Sequence, residues 1–317
     1  MPPSVKESVS LLCGSAHRAL GSALAHSLEI AEGNIEIERF PDGEDHVRVT
    51  AVRGRDVFVV QPLGASVGEA LLELLLIADA CRRSGASSVS AVIPYVGYAR
   101  QERRTGDGEP IGAAVVAAGV SIASFARVIA LDLHAAAVEG LFASPVEHLT
   151  AFALLAEALA AEPRGGAVIV APDLGAARLA QRFGARLGLP TAIVHKTRRS
   201  GTEVTVDRVV GDVVGLRPVI VDDMISTGGT IVAATRAVVA AGAVPEVIVA
   251  ATHGLFAGPA AERLRALPIQ RLIVTDTLPH HAGWPEGVDT LSVAPLIGHA
   301  LERIVRCEPL TDLLAFR

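Results

Sequence analysis

The sequence predicts a parallel α/β protein built as two tandem copies of one domain, and three observations carry that prediction. Half of the 317 residues are hydrophobic but only 3% are aromatic, so the cores are packed from Ala, Val, Leu and Ile. That composition suits Val/Ile-rich strands buried between Ala-rich helices. Short Val/Ile runs alternate with longer Ala/Leu segments of helical period, the pattern of βαβ units around a mainly parallel sheet. Finally, RDVFVVQ (55–61), a helix and SGASSVSAVIP (84–94) are answered by RPVIVDD (217–223), a helix and AGAVPEVIVAA (241–251). Such a recurrence is the mark of a duplicated unit.

Strands are expected at 9–13, 35–40, 56–61, 89–94 and 127–132, then at 167–171, 191–195, 218–222, 246–251 and 271–275. GEALLELLLIADACRR (68–83) places apolar residues at helical spacing. Its closing Arg82 and Arg83 suit the negative end of a helix, and Gly85, like Gly242 later, supplies the stop. AEPRGG (161–166) breaks the helical pattern, which puts a domain boundary near 150–165. The division is therefore 1–150, 151–291 and a segment 292–317. That last segment, with PLIGHALERIVRC, reads as a strand or loop and a helix packing back on the first domain.

Net charge is −6 and the isoelectric point about 5.9. General nucleic-acid binders concentrate positive charge, so that class is excluded, while a local basic patch for a phosphorylated metabolite is not. Cys13, Cys81 and Cys307 are scattered with no CxxC, neither a disulfide framework nor a zinc site, which favours a reducing compartment. Each is expected as a small hydrophobe in or near a core. MPPSVKESVSLLCGS has no sustained apolar region of a signal peptide. The longest apolar stretch, 113–126, contains Gly119, Ser121 and Ser124 and is too short to cross a bilayer of about 30 Å. A soluble, cytoplasmic protein with no membrane partner is expected.

The most informative stretch is VIVDDMISTGGTIVAATRAVV (219–239). An apolar strand ends in Asp222 and Asp223, the tight loop Ser226, Thr227, Gly228, Gly229, Thr230 follows, and an Ala-rich helix begins. Glycines let backbone N–H groups converge on one point, where a helix N-terminus adds its positive dipole end. With the Ser and Thr hydroxyls this makes a cradle for one phosphate. Two carboxylates would repel that phosphate, so they suit neutral hydroxyls such as those of a ribose. The stretch reads as a ribose-5-phosphate clamp at the carboxyl end of a parallel sheet. No G-x-x-x-x-G-K-[ST] is present, so it is not a Walker loop.

Four other segments carry possible chemistry. Arg39-Phe40-Pro41-Asp42-Gly43-Glu44 follows a strand and reads by itself as a turn with two acids. VIPYVGYARQERR (92–104) delivers Tyr95, Tyr98, Arg100, Gln101, Arg103 and Arg104 after a strand. Those residues suit phosphate oxygens and a purine, or equally a solvated helix start. VIALDLHA (128–135) sets Asp132 and His134 two apart, on one face if the strand persists, as a possible Mg²⁺ environment. Asp173, in IVAPDLGAAR, is a further carboxylate at a strand end, open to the same ion or to the sugar. HKTRRSGTEVTV (195–206) is a basic, hairpin-like loop whose Lys196, Arg198 and Arg199 suit a transferring diphosphate, or read as an exposed charged loop.

The loop at 219–239 resembles the phosphoribosyl-binding motif shared by type I phosphoribosyltransferases and ribose-phosphate pyrophosphokinases. RFPDGE, ELLLIADACRRSGA, VIPYVGYARQERR, LDLH, PDLGAARLA, KTR and VDDMISTGGT, taken in order, resemble the second family from about residue 9 to 305. That resemblance implies two tandem domains of phosphoribosyltransferase-like fold, of which only the second keeps the phosphate loop. It implies that Phe40, Asp42 and Glu44 serve the adenine and ribose of ATP, from a neighbouring subunit of a homo-oligomer. Arg100 and Gln101 would contact ATP, and His134 and Asp173 would be associated with Mg²⁺, with Asp132 beside the former. Lys196 and Arg198 would stabilise the transition state. Asp222 and Asp223 would hold ribose hydroxyls, and Ser226 to Thr230 the 5-phosphate. The implied reaction is in-line attack of the sugar 1-hydroxyl on the β-phosphorus of ATP, releasing AMP; no general base is implied.

The chain also departs from the family. KTRRSGTEV lacks the longer KRRPRAN-like loop of many bacterial members, and Ala143 stands where an acid is common. Cys307-Glu308-Pro309-Leu310-Thr311 replaces a Ser-rich phosphate-binding end, which puts allosteric control by phosphate or ADP in question. A type I phosphoribosyltransferase would not need the first domain or RFPDGE. A non-catalytic paralogue would have no chemical use for His134, Asp173, Lys196 and Arg198 together.

Overall fold

The structure, a computed structural model, describes residues 8–161, 165–198 and 204–315, and the side chains of 196–198 and 204–207 lie outside that description. The chain divides into two compact units. The first holds Met1–Thr150, Thr277–Pro279 and Ser292–Arg317; the second holds Ala151–Asp276 and His280–Leu291.

In the first unit the strands are β1 (Val9–Cys13), β2 (Ile35–Arg39), β3 (Asp45–Val49), β4 (Asp56–Val60), β5 (Ser88–Ile93), β6 (Val128–Leu131) and β7 (Val146–Leu149). The helices are α1 (Arg18–Ser27), α2 (Val67–Arg83) and α3 (Gly112–Ile122). The main sheet runs β1-β4-β5-β6-β7 with every pairing parallel, and β2 and β3 form a separate antiparallel hairpin. Helix α2 buries Ala70, Leu74, Ile77, Ala78 and Cys81, the i, i+4, i+7, i+8, i+11 stripe of an amphipathic helix. That stripe packs with Val57 and Val59 of β4 and Val116, Ala117 and Val120 of α3. Gly85 takes φ +82 just past α2, the left-handed stop expected of it.

The second unit contains β8 (Ala167–Ala171), β9 (Thr191–Arg198), β10 (Val204–Val210), β11 (Arg217–Ile225), β12 (Val247–Gly254), β13 (Ile269–Thr275) and β14 (Val288–Leu291). Its helices are α4 (Phe152–Ala160), α5 (Ala177–Leu187), α6 (Gly229–Ala240) and α7 (Ala260–Arg265). The sheet order is β10-β9-β8-β11-β12-β13-β14, parallel except for the β9–β10 hairpin. Apolar side chains of β8 and β11 point alternately into two cores, Val168, Val170 and Ile220 on one face and Ile169, Val219 and Val221 on the other. Both faces are covered, as an all-apolar parallel strand requires.

The two sheets repeat one another: β1-β4-β5-β6-β7 corresponds in chain order and spatial order to β8-β11-β12-β13-β14. The recurrent sequence segments are β4 with β5 and β11 with β12. Each unit also inserts a hairpin after its first strand, free-standing in β2–β3 and joined to the sheet in β9–β10.

After the second unit the chain adds α8 (Ala294–Val305) to the first, where α8 meets α1. The end of the chain then lies along β7: Leu314 bridges Leu149, Thr150 N–H donates to Leu313 O at 3.0 Å, and Ala315 N–H to His148 O at 2.8 Å.

Several expectations need correction. Strand β6 stops at Leu131, and Asp132 turns left-handed with φ +35, so strand alternation does not place Asp132 and His134 on one face. Strand β11 does not end at Asp223; it runs on to Ile225 because β12 is long enough to pair with Met224 and Ile225. Strands β3, β7, β10 and β14 add to those expected from the sequence. Cys13 and Cys81 are buried as expected, whereas Cys307 is exposed at a left-handed turn (φ +56). Burial pushes the Cys13 thiol up to about 11 and the Cys81 thiol up to about 12, so both stay protonated. Among the described residues no helix is long and apolar enough to cross a membrane.

Candidate functional site

In the second unit the sheet order reverses between β8 and β11: the chain goes from β8 outward to β9 and β10, then returns to β11 on the other side. Such a switch point opens a crevice at the carboxyl ends of the strands, where α/β sheets bind ligands. Asp173 follows β8, and Asp222 and Asp223 lie near the end of β11, so the three carboxylates converge there. Asp173 Oδ1 accepts from Gly175 N–H at 2.9 Å and Ala176 N–H at 3.3 Å, fixing the turn into α5. Asp222 Oδ1 accepts from Asp223 N–H at 2.9 Å. Burial drives the Asp222 carboxyl well above the usual carboxylate range, and Asp223 and, more weakly, Asp173 push it the same way by repulsion. An acidic pocket of this kind favours hydroxyl donors or a hard cation and disfavours an anion.

The loop beyond β11 supplies the opposite polarity. Gly228, the residue before α6, sits at φ +75, which costs any other residue about 1–2 kcal/mol. The turn aims the first N–H groups of α6, which have no intrahelical acceptor, out of the helix end. Thr227 and Gly229 are exposed and Ser226 and Thr230 half-buried, so two hydroxyl side chains flank a glycine-floored cradle. The cradle is backed by residues 255–257: Leu255 N–H donates to Ile225 O at 3.0 Å and Ala257 N–H to Ser226 O at 3.0 Å.

Sequence reasoning missed one participant. Arg263, exposed on α7, donates from Nη1 to Thr227 O at 3.0 Å and stands 3.8 Å from where a Cβ on Gly229 would be. A guanidinium therefore braces the loop at its floor. One of two arginines on a six-residue helix, 36 positions after Thr227, gives no sequence signal.

Lys196 and Arg198 belong to β9, opposite Val206 and Val204 of β10, so the basic segment is the outer end of a true hairpin. Their side chains, and Arg199 altogether, lie outside the described residues.

In the first unit, Phe40 to Glu44 close the β2–β3 hairpin. Phe40 N–H donates to Glu44 O at 2.8 Å, Gly43 N–H to Phe40 O at 2.9 Å, and Asp42 Oδ1 accepts from Glu44 N–H at 3.1 Å. Gly43 at φ +92 completes the turn. The Phe40 ring is 40% exposed and stacks on His46 at 5.6 Å. An exposed aromatic face beside two carboxylates can stack on a flat ring and accept from hydroxyls.

Arg100 and Gln101 are exposed in the segment after β5, and His134 is exposed in the turn after β6. Because β5 and β6 are parallel neighbours, both segments leave the same edge of the sheet. Gln101 is held by its backbone, N–H to Tyr98 O at 2.8 Å and O from Ala113 N–H at 3.2 Å, with Tyr98 left-handed at φ +63. Tyr95, by contrast, is buried and belongs to the core.

Among the described residues no group of three or more His, Cys, Asp or Glu side chains is arranged to enclose a metal. Asp173 offers a half-buried carboxylate and His134 an exposed imidazole, each able to take one position on an ion that keeps most of its water.

Two family models match the chain. Residues 9–123 match the N-terminal domain of ribose phosphate pyrophosphokinase, and residues 203–315 match the phosphoribosyl synthetase-associated domain. The chain is 39% identical over 305 residues to the ribose-phosphate pyrophosphokinase of Thermotoga maritima, covering 95% of this chain and 96% of that one. It is 40% identical over 315 residues to that of Rhodopirellula baltica, covering 98% and 99%. Among solved structures, phosphoribosylpyrophosphate synthetase from Mycobacterium smegmatis superposes with a TM-score of 0.88 at 36% identity, over 95% of this chain and 99% of that one.

Proposed function

The chain belongs to the ribose-phosphate pyrophosphokinase family, and from that premise we propose how its residues divide the transfer of a diphosphoryl group from ATP to the 1-hydroxyl of ribose 5-phosphate. The observation that carries the reading is the polarity of the crevice after β11. An anion cradle at Ser226, Thr227, Gly228, Gly229 and Thr230 stands next to a carboxylate group at Asp222 and Asp223. A sugar phosphate has the same two ends, an anion and a diol.

Thr230, Ser226 and the first N–H groups of α6 hold the 5-phosphate, while Asp222 and Asp223 accept from the ribose hydroxyls. Phe40, Asp42 and Glu44 receive the adenine and ribose of ATP, and Arg100 and Gln101 contact ATP, Arg100 on its phosphates. His134, with Asp132 beside it, and Asp173 would hold Mg²⁺, which would supply positive charge against the phosphate oxygens. Lys196 and Arg198 meet the charge that builds as the bond to the leaving AMP breaks. Positioning and electrostatics carry such a reaction, with little covalent help from the protein.

The nucleotide site is shared within a homo-oligomer, Phe40 to Glu44 serving a neighbour. Exposed Leu72, Val115, Ile122 and Leu141 on and around α2 and α3 support such an assembly, since grouped apolar surface marks contact faces. Buried, protonated thiols and scattered cysteines agree with a cytoplasmic setting.

The test is AMP release from Mg-ATP that depends on ribose 5-phosphate with no nucleobase present. A phosphoribosyltransferase would be silent in this assay. Absence of AMP from folded protein would overturn the reading.

A further inference from the structure

We infer that His148, a residue outside the substrate-facing set, is the positioning residue that holds His134 in place for the reaction; the inference rests on the role given to His134 above. It begins with a backbone donor that the sheet cannot satisfy. Strand β6 is paired to β7 through Leu131–Leu149, and Asp132 N–H still reaches Leu149 O at 3.0 Å. Asp132 then takes φ +35, a left-handed conformation uncommon for any residue but glycine, and the chain leaves the ladder. The next N–H, that of Leu133, is inside the protein with the backbone ladder ended. A buried donor left without an acceptor costs about 1–3 kcal/mol.

His148 supplies that acceptor. It lies on β7 opposite Ala130, is 3% exposed, and its Nε2 accepts from Leu133 N–H at 2.8 Å. Accepting there requires Nε2 to carry no proton, so the ring proton is on Nδ1, the side where Glu139 Oε2 lies 3.8 Å away. The two hydrogen bonds to β7 bracket the turn: one from Asp132 to a backbone oxygen that any residue at 149 would offer, one from Leu133 to a side chain that few residues can offer. Leu133 stands between Asp132 and His134, so its N–H fixes the 132–133 peptide, one residue before the exposed His134. Strand β7 is itself held on its outer side by the chain terminus, through Ala315 N–H to His148 O.

The chemistry needed at 148 is therefore an acceptor at the distance of Nε2, in a space closed to solvent. Gln places an amide oxygen at about that reach; Met has the same length and shape but only a weak sulfur acceptor. The comparison of His148→Gln with His148→Met isolates the hydrogen bond from packing. Displacing a reacting-site group by about 1 Å costs on the order of 10²-fold in rate. His148→Gln should keep kcat within about threefold of wild type, while His148→Met should lose on the order of 10²-fold in kcat with KM for ribose 5-phosphate moved less than about twofold.

A purely structural role would lower the melting temperature of the Met variant and leave kcat of the folded fraction intact, and that result would overturn the inference. So would a Gln variant that fails to fold or is as slow as the Met variant. Should the Met variant itself not fold, a Gln variant that folds and retains kcat stands for the inference, and one that folds and loses it stands against. A third variant separates this claim from the one beneath it. His134→Ala with full kcat removes the role given to His134 and the inference with it. With His134→Ala impaired, adding His148→Met should lower kcat no further, because the two act through one group, whereas an additive loss would show that His148 works elsewhere.

Discussion

Arg263 Nη1 donates to the Thr227 carbonyl at 3.0 Å, tying helix α7 to the Ser226–Thr230 loop through one exposed guanidinium. Because the side chain is exposed, its removal leaves the core intact and acts on the loop alone. Arg263→Ala should raise KM for ribose 5-phosphate by about tenfold with kcat nearly unchanged, the loss of one charge-assisted hydrogen bond and its field. Unchanged KM would mean that the loop is rigid without its brace. Lysine should restore part of the effect, having the charge but not the planar fork.

Asp222 gives a prediction about pH. Its folded-state carboxyl titrates above the unfolded value, so the folded protein holds that proton more tightly. Stability is therefore greatest below the unfolded carboxylate range, falls as pH climbs from there through the raised folded value, and stays reduced above it. Asp222→Asn keeps the shape and the acceptor for Asp223 N–H but removes the titration. At pH 7 and without ligand it should melt higher than wild type, by about 1–2 °C for each kcal/mol gained in a chain of this size. The gap should close as pH falls towards 4, while binding of ribose 5-phosphate is weakened at every pH. A variant that melts below wild type at pH 7 would show that the carboxyl is stabilised there.

The central strands of both sheets were legible because each is a near-continuous Val/Ile run, the signature of burial on both faces. Gly85 and Gly242 were legible as stops because glycine takes without strain the left-handed φ, +82 and +96, that follows those helices. What was not legible lies at edges. DHVRV, VEHL and VDTL, the strands β3, β7 and β14, are short and half-exposed, so charged residues interrupt the apolar signal. The loop Ser226–Thr230 and the pair Asp222–Asp223 could be read because their chemistry is contiguous in sequence. Arg263 and His148 could not, since each acts across the fold on a backbone atom, and a backbone atom has no sequence identity.

Lys196 lies at the outer end of the β9–β10 hairpin, and its charge is assigned to the transition state. Lys196→Ala should lower kcat by on the order of 10³-fold while changing either KM by less than about threefold. Near-wild-type kcat would make this hairpin a solvated surface only.

The proposed sharing of the nucleotide site has a diagnostic consequence. Glu44→Ala and Lys196→Ala, each poorly active alone, place their defects in different halves of a shared site. Co-expressed, they should regain about a quarter of wild-type activity if subunits mix at random in a pairwise site. Light scattering should show an assembly larger than a monomer. A fully active monomer would contradict sharing, and an oligomer without recovery would mean that residues 39–44 serve their own chain.

The most direct measurement is ³¹P NMR of the purified protein with Mg-ATP and ribose 5-phosphate, following every phosphorus to completion. Transfer of a diphosphoryl group from ATP to the sugar predicts equal growth of AMP and of a coupled pair of diphosphate resonances attached to carbon 1, with no ADP at early times. ADP growing in step with a sugar bisphosphate, or AMP appearing without the sugar diphosphate, would contradict the account.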